Sequence, residues 1–331
     1  MNSRAVSFGR TDFEITRVGL GAWAIGGGEW QGGWGPQDDA DSIAAIHHAV
    51  ERGINWIDTA PAYGLGRAEE VVGEAVRQLP EADRPLIFTK CGLVWKEGER
   101  TVSNSLASAS IRQECEDSLR RLGVETIDLL QAHWPTEDGT ALEESWATMA
   151  ALVEEGKVRY VGLSNFSLQD LEKCEEIHHV DTFQPQLNLL VRDALDETIP
   201  WCAASGTGVI VYSPMRSGLL SGRFTPQRAA GLPDDDWRKT ADDFQPPKLD
   251  VNLDLVERLK PIADRLDSTL PELAIAWTLA QPGVTGAIVG ARTPEQVDGW
   301  VDSADVNLQD KDLDEITQAL AETGAGEGPL G

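Results

Sequence analysis

Residues 53–90 read GINWIDTAPAYGLGRAEEVVGEAVRQLPEADRPLIFTK. Asn55 to Thr59 is a short apolar run, Ala68 to Gln78 repeats its apolar residues at helical spacing, and Leu86 to Lys90 is a second short run. This pattern predicts a strand, a crossover helix and a second strand parallel to the first. The same unit recurs on both sides. Further strands are predicted at Arg17 to Gly21, Thr126 to Ala132, Arg159 to Leu163, Thr182 to Gln186, Gly208 to Tyr212 and Gly286 to Val289, which makes eight. Further helices are predicted at Asp39 to Arg52, Asn104 to Arg121, Leu142 to Glu155, Leu168 to Ile177, Ala194 to Ala204, Leu253 to Leu266, Pro271 to Ala280 and Pro294 to Asp302. Eight parallel strands with helical crossovers close most economically into a (β/α)8 TIM barrel, an α/β fold.

Local punctuation agrees with this division. Asp38 stands where the first helix needs a cap, Ser103 or Asn104 is read as the cap of the third and Ser167 as that of the fifth, while Gly53, Gly123 and Gly156 follow helix ends. Ala5 to Phe8 and Glu14 to Thr16, around Gly9 to Asp12, predict a β-hairpin that plugs the barrel floor. Residues 213–250 are rich in Pro, Gly and Asp and form one long connection after the seventh strand, expected to act as a lid. An extra helix is predicted near Leu313 to Leu320. No linker interrupts the alternation, so residues 1–331 are read as a single barrel domain.

Composition excludes several classes of function. Against 28 Lys and Arg stand 55 Asp and Glu, a formal charge of −27 that repels nucleic acid phosphates and anionic lipid, so neither is expected as a partner. Cys91, Cys115, Cys174 and Cys202 lie far apart with no C-x-x-C pair, which argues against zinc and against a disulfide framework. A reducing cytoplasm is the expected location. The opening MNSRAVSFGRTDFE has no signal-peptide core, and Leu270 to Val289 is interrupted by Pro271, Glu272, Gln281 and Pro282, so neither export nor a membrane span is expected.

A barrel of this kind does its chemistry at the carboxyl ends of its strands, so polar residues that end an apolar run are the informative ones. The second predicted strand ends on Asp58 with Tyr63 on the loop beyond, the third ends on Lys90, and DLLQAH (128–133) delivers His133. A lysine has no place on a barrel rim without a partner, and Asp58 supplies one. The paired ammonium is expected to lower the Tyr63 hydroxyl from about 10 toward neutrality, so that it exchanges a proton near pH 7. His133 would orient and polarise a substrate oxygen shared with Tyr63.

With these residues in place the chain resembles the aldo-keto reductases, and within them the bacterial branch containing the inositol-operon oxidoreductase. The matching stretches span nearly the whole sequence: GLGAWAIGG (19–27), GINWIDTAPAYG (53–64), FTK (88–90), DLLQAHWP (128–135), GKVRYVGLSNFS (156–167), QPQLNLL (184–190), VYSPMRSGLLSG (211–222) and GARTPEQ (290–296). The resemblance implies that Asp58, Tyr63, Lys90 and His133 form a catalytic tetrad and that a nicotinamide dinucleotide lies across the rim. It further implies that Trp23 and Asp58 touch the cofactor, that Ser164, Asn165 and Gln186 bond its carboxamide, and that Tyr212 stacks on the nicotinamide ring. Ser213, Pro214, Met215, Ser217, Gly218 and Leu219 would fold over the pyrophosphate. Gly290, Ala291, Arg292 and Gln296 would meet the adenosine end, with the Arg292 fork suited to a 2′-phosphate, so NADPH is expected and NADH possible. The sequence departs from many relatives here, with Gly290 in place of a lysine, Gln296 in place of an arginine and Trp300 where an asparagine often sits.

A rival dinucleotide signal is set aside: Gly19, Gly21 and Ala24 match G-x-G-x-x-A, yet no helix opens after them. Of the 11 tryptophans, Trp23, Trp30, Trp34, Trp95 and Trp134 fall on predicted rim loops, and Trp23, Trp95 and Trp134 are expected to wall the carbonyl site. Cys91 is read as a buried structural thiol, and no metal is expected. The function that follows is NADPH-dependent reduction of aldehydes or ketones to alcohols by a monomer, Tyr63 being the general acid. The alternative is a cofactor-bound redox-sensing or regulatory subunit of the same fold; a cofactor-free barrel lyase is more distant.

Overall fold

The computed structural model describes residues 5–28, 30–136, 138–234 and 236–330. Its centre is a closed barrel of eight parallel strands: β1 (Val18–Gly21), β2 (Trp56–Asp58), β3 (Leu86–Cys91), β4 (Ile127–Ala132), β5 (Val158–Ser164), β6 (Thr182–Gln184), β7 (Gly208–Tyr212) and β8 (Gly286–Gly290). Neighbours in sequence are neighbours in the barrel, and β8 closes on β1. The predicted strand bounds hold to within two residues. The largest deviation has a covalent cause: β6 stops at Gln184 because Pro185 has no N–H to continue the ladder.

Around the barrel lie α1 (Asp39–Glu51), α2 (Arg67–Gln78), α3 (Ser108–Leu122), α4 (Leu142–Glu154), α5 (Leu168–Glu175), α6 (Thr198–Ser205), α7 (Pro226–Ala230), α8 (Lys248–Arg265), α9 (Leu270–Ala280), α10 (Pro294–Asp298) and α11 (Asp310–Thr323). Asp38 caps α1 through the N–H groups of Ala40 and Asp41, and Ser167 forms a reciprocal capping box with Asp170 at α5. The cap expected for the third helix is misplaced. Ser103 and Asn104 instead pair antiparallel with Leu93 and Val94, making a small flap above β3, and α3 starts at Ser108. Helix α8 starts five residues before the predicted Leu253, and the helix predicted to Asp302 ends at Asp298, with a separate 3-10 turn at Ser303–Asp305.

Two apolar cores divide the molecule. The larger fills the space between strands and helices. The smaller closes the floor, where Phe8, Phe13 and Ile15 of the amino-terminal hairpin (Ala5–Ser7 with Glu14–Thr16) meet Trp56, Phe88, Leu129, Ile210 and Ile288. The long connection after β7 is anchored by buried Leu219, Leu220, Phe224 and Phe244, and lies over the opposite end of the barrel. Among the described residues no helix is long and apolar enough to cross a membrane.

Candidate active site

Strand pleating aims the polar residues. On β3 Phe88 points to the floor, so Lys90, two residues on, points into the barrel nearer the rim; Trp56 and Asp58 on β2 stand in the same relation. Lys90 Nζ donates to Asp58 Oδ1 at 2.6 Å, to the Thr59 carbonyl at 3.0 Å and to the Tyr63 hydroxyl at 3.2 Å. Tyr63 reaches this point because its chain turns sharply: Gly64, Leu65 and Gly66 all adopt left-handed backbone, and a Cβ on Gly64 would fall 2.2 Å from the Gly26 carbonyl oxygen. The His133 ring meets Tyr63 edge-on, with centroids 5.7 Å apart. The structure thus brings Asp58, Tyr63, Lys90 and His133 together.

The electrostatics differ from expectation in one respect. Burial pushes the Tyr63 hydroxyl above its ordinary value; Lys90 pulls it down, and Asp58 opposes that pull. The phenol therefore holds its proton at neutral pH, and the expected shift toward neutrality is not found. Burial works against the Lys90 charge, yet Asp58 and Tyr63 outweigh it and raise the ammonium above its usual value. Burial, with Lys90 nearby, drives His133 well below 6.5, so its imidazole is neutral. The rim holds a phenol proton donor, a fixed ammonium and a neutral imidazole around one point.

That point opens into a cavity of about 900 Å³. On one wall Tyr212 donates to Asn165 Oδ1 at 2.8 Å, Asn165 Nδ2 donates to the His133 carbonyl and to Ser164 Oγ, each at 3.0 Å, and Ser164 donates to the Gln184 carbonyl. Gln184 Nε2 donates to Asp58 Oδ2 at 2.8 Å. Here the sequence reading is corrected: Gln184, at the inward-facing end of β6, borders the cavity, whereas Gln186 lies past Pro185 and bridges to Tyr212 outside it. Ser213, Pro214, Met215, Ser217 and Gly218 border the cavity, while Leu219 is buried in the helix-side core. Left-handed Ser213, Arg216, Ser217 and Gly218 curl the segment, and the Met215 and Ser217 N–H groups have no partner among the described residues.

At the far end Gly290, Ala291, Arg292 and Gln296 border the cavity with Glu295 and Trp300. The Arg292 fork does not stand free as expected. It donates to Gln37 Oε1 and to the carbonyls of Pro36 and Trp34, tying the glycine-rich first loop to the last. Sequence reasoning missed three other cavity cations, Arg223, Arg228 and Arg238. Arg238 pairs with Asp236, but Arg223 and Arg228 have no carboxylate partner among the described residues. The available signal was their place in residues 213–250, the connection read as a lid, in a chain where acidic residues outnumber basic ones. An amide and hydroxyl wall, free backbone N–H groups and unpaired arginines suit in turn a carboxamide, a pyrophosphate and further phosphate, so the site fits a nicotinamide dinucleotide.

The aromatic wall is also redrawn. Trp23 stacks on Tyr63 at 6.4 Å and on Trp237 of the long connection at 6.2 Å, and Trp30, Trp34 and Trp134 border the same cavity. Trp95 does not; it sits on the flap with Arg121 6.0 Å from its ring, and Leu93 and Val102 occupy the wall instead. All four cysteines are buried, and burial pushes the Cys91 thiol well above its ordinary value. Among the described residues no three His, Cys, Asp or Glu side chains gather to hold a metal.

Comparison with known proteins bears on this arrangement. Residues 17–321 match the model of the aldo/keto reductase family. The chain is 35% identical to the NADH-specific methylglyoxal reductase of Escherichia coli, covering 96% of this chain and 99% of that one. It is also 35% identical to the aldo-keto reductase YhdN of Bacillus subtilis, over 96% of this chain and 93% of that one. Among solved structures, the glycerol dehydrogenase AKR11B4 from Gluconobacter oxydans superposes with a TM-score of 0.89 at 36% identity, over 99% of this chain and 98% of that one.

Proposed function

This chain belongs to the aldo/keto reductase family and is an NAD(P)H-dependent oxidoreductase; on that premise we propose that it reduces small aldehydes and ketones to alcohols, with Tyr63 as general acid. The observation that carries the reading is the Lys90 ammonium, 2.6 Å from Asp58 and 3.2 Å from the Tyr63 hydroxyl, beneath a cavity of dinucleotide size. When bound, the reduced nicotinamide supplies the hydride. Tyr63 then gives its proton to the carbonyl oxygen as charge develops there, and Lys90 stabilises the phenolate left behind. Asp58 keeps the ammonium charged in a dry site, and neutral His133 polarises the same oxygen without competing for the proton. Ser164, Asn165 and Gln184 would hold the carboxamide and Tyr212 the ring face, with Met215, Ser217, Arg223 and Arg228 at the phosphates.

For the cofactor's 2′ position the structure supports a reading different from the sequence. Arg292 is engaged by loop carbonyls and Glu295 sets a carboxylate on the same wall, an arrangement that favours NADH over NADPH. The Escherichia coli relative is described as NADH-specific. Trp23, Trp30, Trp34 and Trp134 narrow the substrate end, and the named substrates of two relatives are small and oxygen-rich. Methylglyoxal and glyceraldehyde are therefore the first compounds to assay, each with NADH and NADPH. Repeated turnover that vanishes in Tyr63→Phe, with cofactor fluorescence quenching retained, supports the proposal. Tight cofactor binding with no multiple turnover would instead support the regulatory-subunit alternative, which the relatives named as reductase and dehydrogenase do not favour.

A further inference from the structure

Behind the rim, on the helix side of β3, lies a buried polar cluster that the chemistry above leaves unused. Glu114 of α3 accepts the Gly92 N–H at 2.9 Å on one oxygen and the Ser110 hydroxyl at 3.0 Å on the other. Beside it, Glu69 of α2 accepts the Thr89 hydroxyl and Arg121 Nε, both at 2.6 Å. Carboxylates from two helices therefore grip β3 one residue before Lys90 and the chain just past its end, two residues after Lys90.

The bond to Gly92 reaches further than β3. The Cys91–Gly92 peptide that gives its N–H to Glu114 also accepts the His133 N–H on its carbonyl at 2.9 Å. The His133 carbonyl in turn accepts Asn165 Nδ2. The turn requires glycine, since φ at Gly92 is +95° and a Cβ there would fall 2.6 Å from Leu106 Cδ2, so no side chain at this position helps to hold the peptide. A charge-assisted bond on one side of a peptide polarises it and strengthens the bond on the other. We propose that Glu114 is a positioning residue for carbonyl reduction: it holds the Cys91–Gly92 peptide, and through that peptide keeps Lys90 and His133 in place on the rim. The proposal rests on the reading of the tetrad given above.

A carboxylate is a costly way to hold a peptide. Glu114 is faced by Glu69 from α2, by Arg121 and Ser110 from α3, and by Cys91 from β3 with Cys115 beside it. Burial dominates and Glu69 adds to it; the bonds from Gly92 and Ser110 and the charge of Arg121 oppose them, leaving the carboxyl raised to about 7. A glutamine would satisfy the same two partners without burying a charge, so stability alone would select glutamine. Stability and positioning hence predict opposite signs for one substitution.

The test is Glu114→Gln in the full chain. Near pH 8 its kcat for methylglyoxal should fall about fivefold, the difference between a charge-assisted and a neutral hydrogen bond. KM and cofactor Kd should stay within about twofold while the melting temperature rises. Near pH 6, where the parent carboxyl is itself protonated, the two kcat values should converge. Hydrogen exchange of the segments containing Gly92 and His133 should be faster in the variant at pH 8, a readout that needs no turnover. A parent that reduces no carbonyl would end the functional reading, while the exchange result would still decide the role of Glu114. Activity that follows the melting temperature, a kcat ratio equal at both pH values, or unchanged exchange would overturn the proposal. Glu114→Ala, which removes the acceptor, should lower kcat at both pH values; loss of stability alone in that variant would also overturn it.

Discussion

The floor and the rim of this barrel are built from the same strands with opposite chemistry. Trp56, Phe88, Leu129 and Ile210 point to the floor, and two residues later Asp58, Lys90, Gln131 and Tyr212 stand on the same side of their strands nearer the rim. The floor is apolar and closed by the hairpin. The rim buries an ammonium, a carboxylate and an imidazole beside a half-buried phenol, groups whose desolvation the rest of the fold must offset. A single step of strand period thus separates residues that hold the barrel from residues that give it chemistry, and the two sides should respond differently to substitution.

The largest effect belongs to the rim. Tyr63→Phe should lower kcat by about 10³-fold or more while leaving the melting temperature and cofactor affinity near those of the parent, which steady-state kinetics and fluorescence titration would check. Asp58→Asn strands the buried Lys90 ammonium and should cost about 3–5 kcal/mol of stability in denaturant unfolding, as well as activity. Adding Lys90→Met to it should restore much of the stability and none of the activity, the outcome that most cleanly separates the two roles.

On the floor, Leu129→Ala should cost about 2–5 kcal/mol through the cavity it opens, yet leave kcat per folded molecule nearly unchanged. A comparable fall in kcat would show that floor and rim are coupled rather than divided. The smallest effect is a pH dependence. Glu114 is raised to about 7 in the folded chain, against an ordinary value of 4.5. The folded state therefore binds its proton more tightly than the unfolded state does. The stability this contributes is complete below the unfolded value and is lost as pH rises through about 7, amounting to about 3 kcal/mol at most. Unfolding curves of the parent between pH 5 and 8 should show that decline, and Glu114→Gln should flatten it.

Much of this was legible in the chain. The eight strands, the hairpin, the Asp38 and Ser167 caps and the four rim residues follow from local pattern, because pleating and capping depend on nearest neighbours. The errors share a different origin. The resemblance assigns the carboxamide to Gln186, because the QPQ run does not reveal that the strand ends at Pro185 and leaves Gln184 on the cavity wall. Ser103 and Asn104 look like a cap but pair with a flap that only the folded chain brings near. Trp95 stands close in sequence to Lys90 yet packs beside Arg121, while Trp30, Trp34, Arg223 and Arg228 reach the cavity from distant loops.

The sequence by itself determined the alternation of strand and helix, the barrel, and which strands end in an acid, an amine and an imidazole, since each is written in spacing along a few residues. The tertiary structure alone decided that Tyr63 is held as a protonated phenol, that Arg292 binds loop carbonyls, and that Glu114 reaches His133 through a shared peptide. Those outcomes depend on burial and on distances between segments far apart in the chain, and desolvation and Coulomb energies are set by three-dimensional separation.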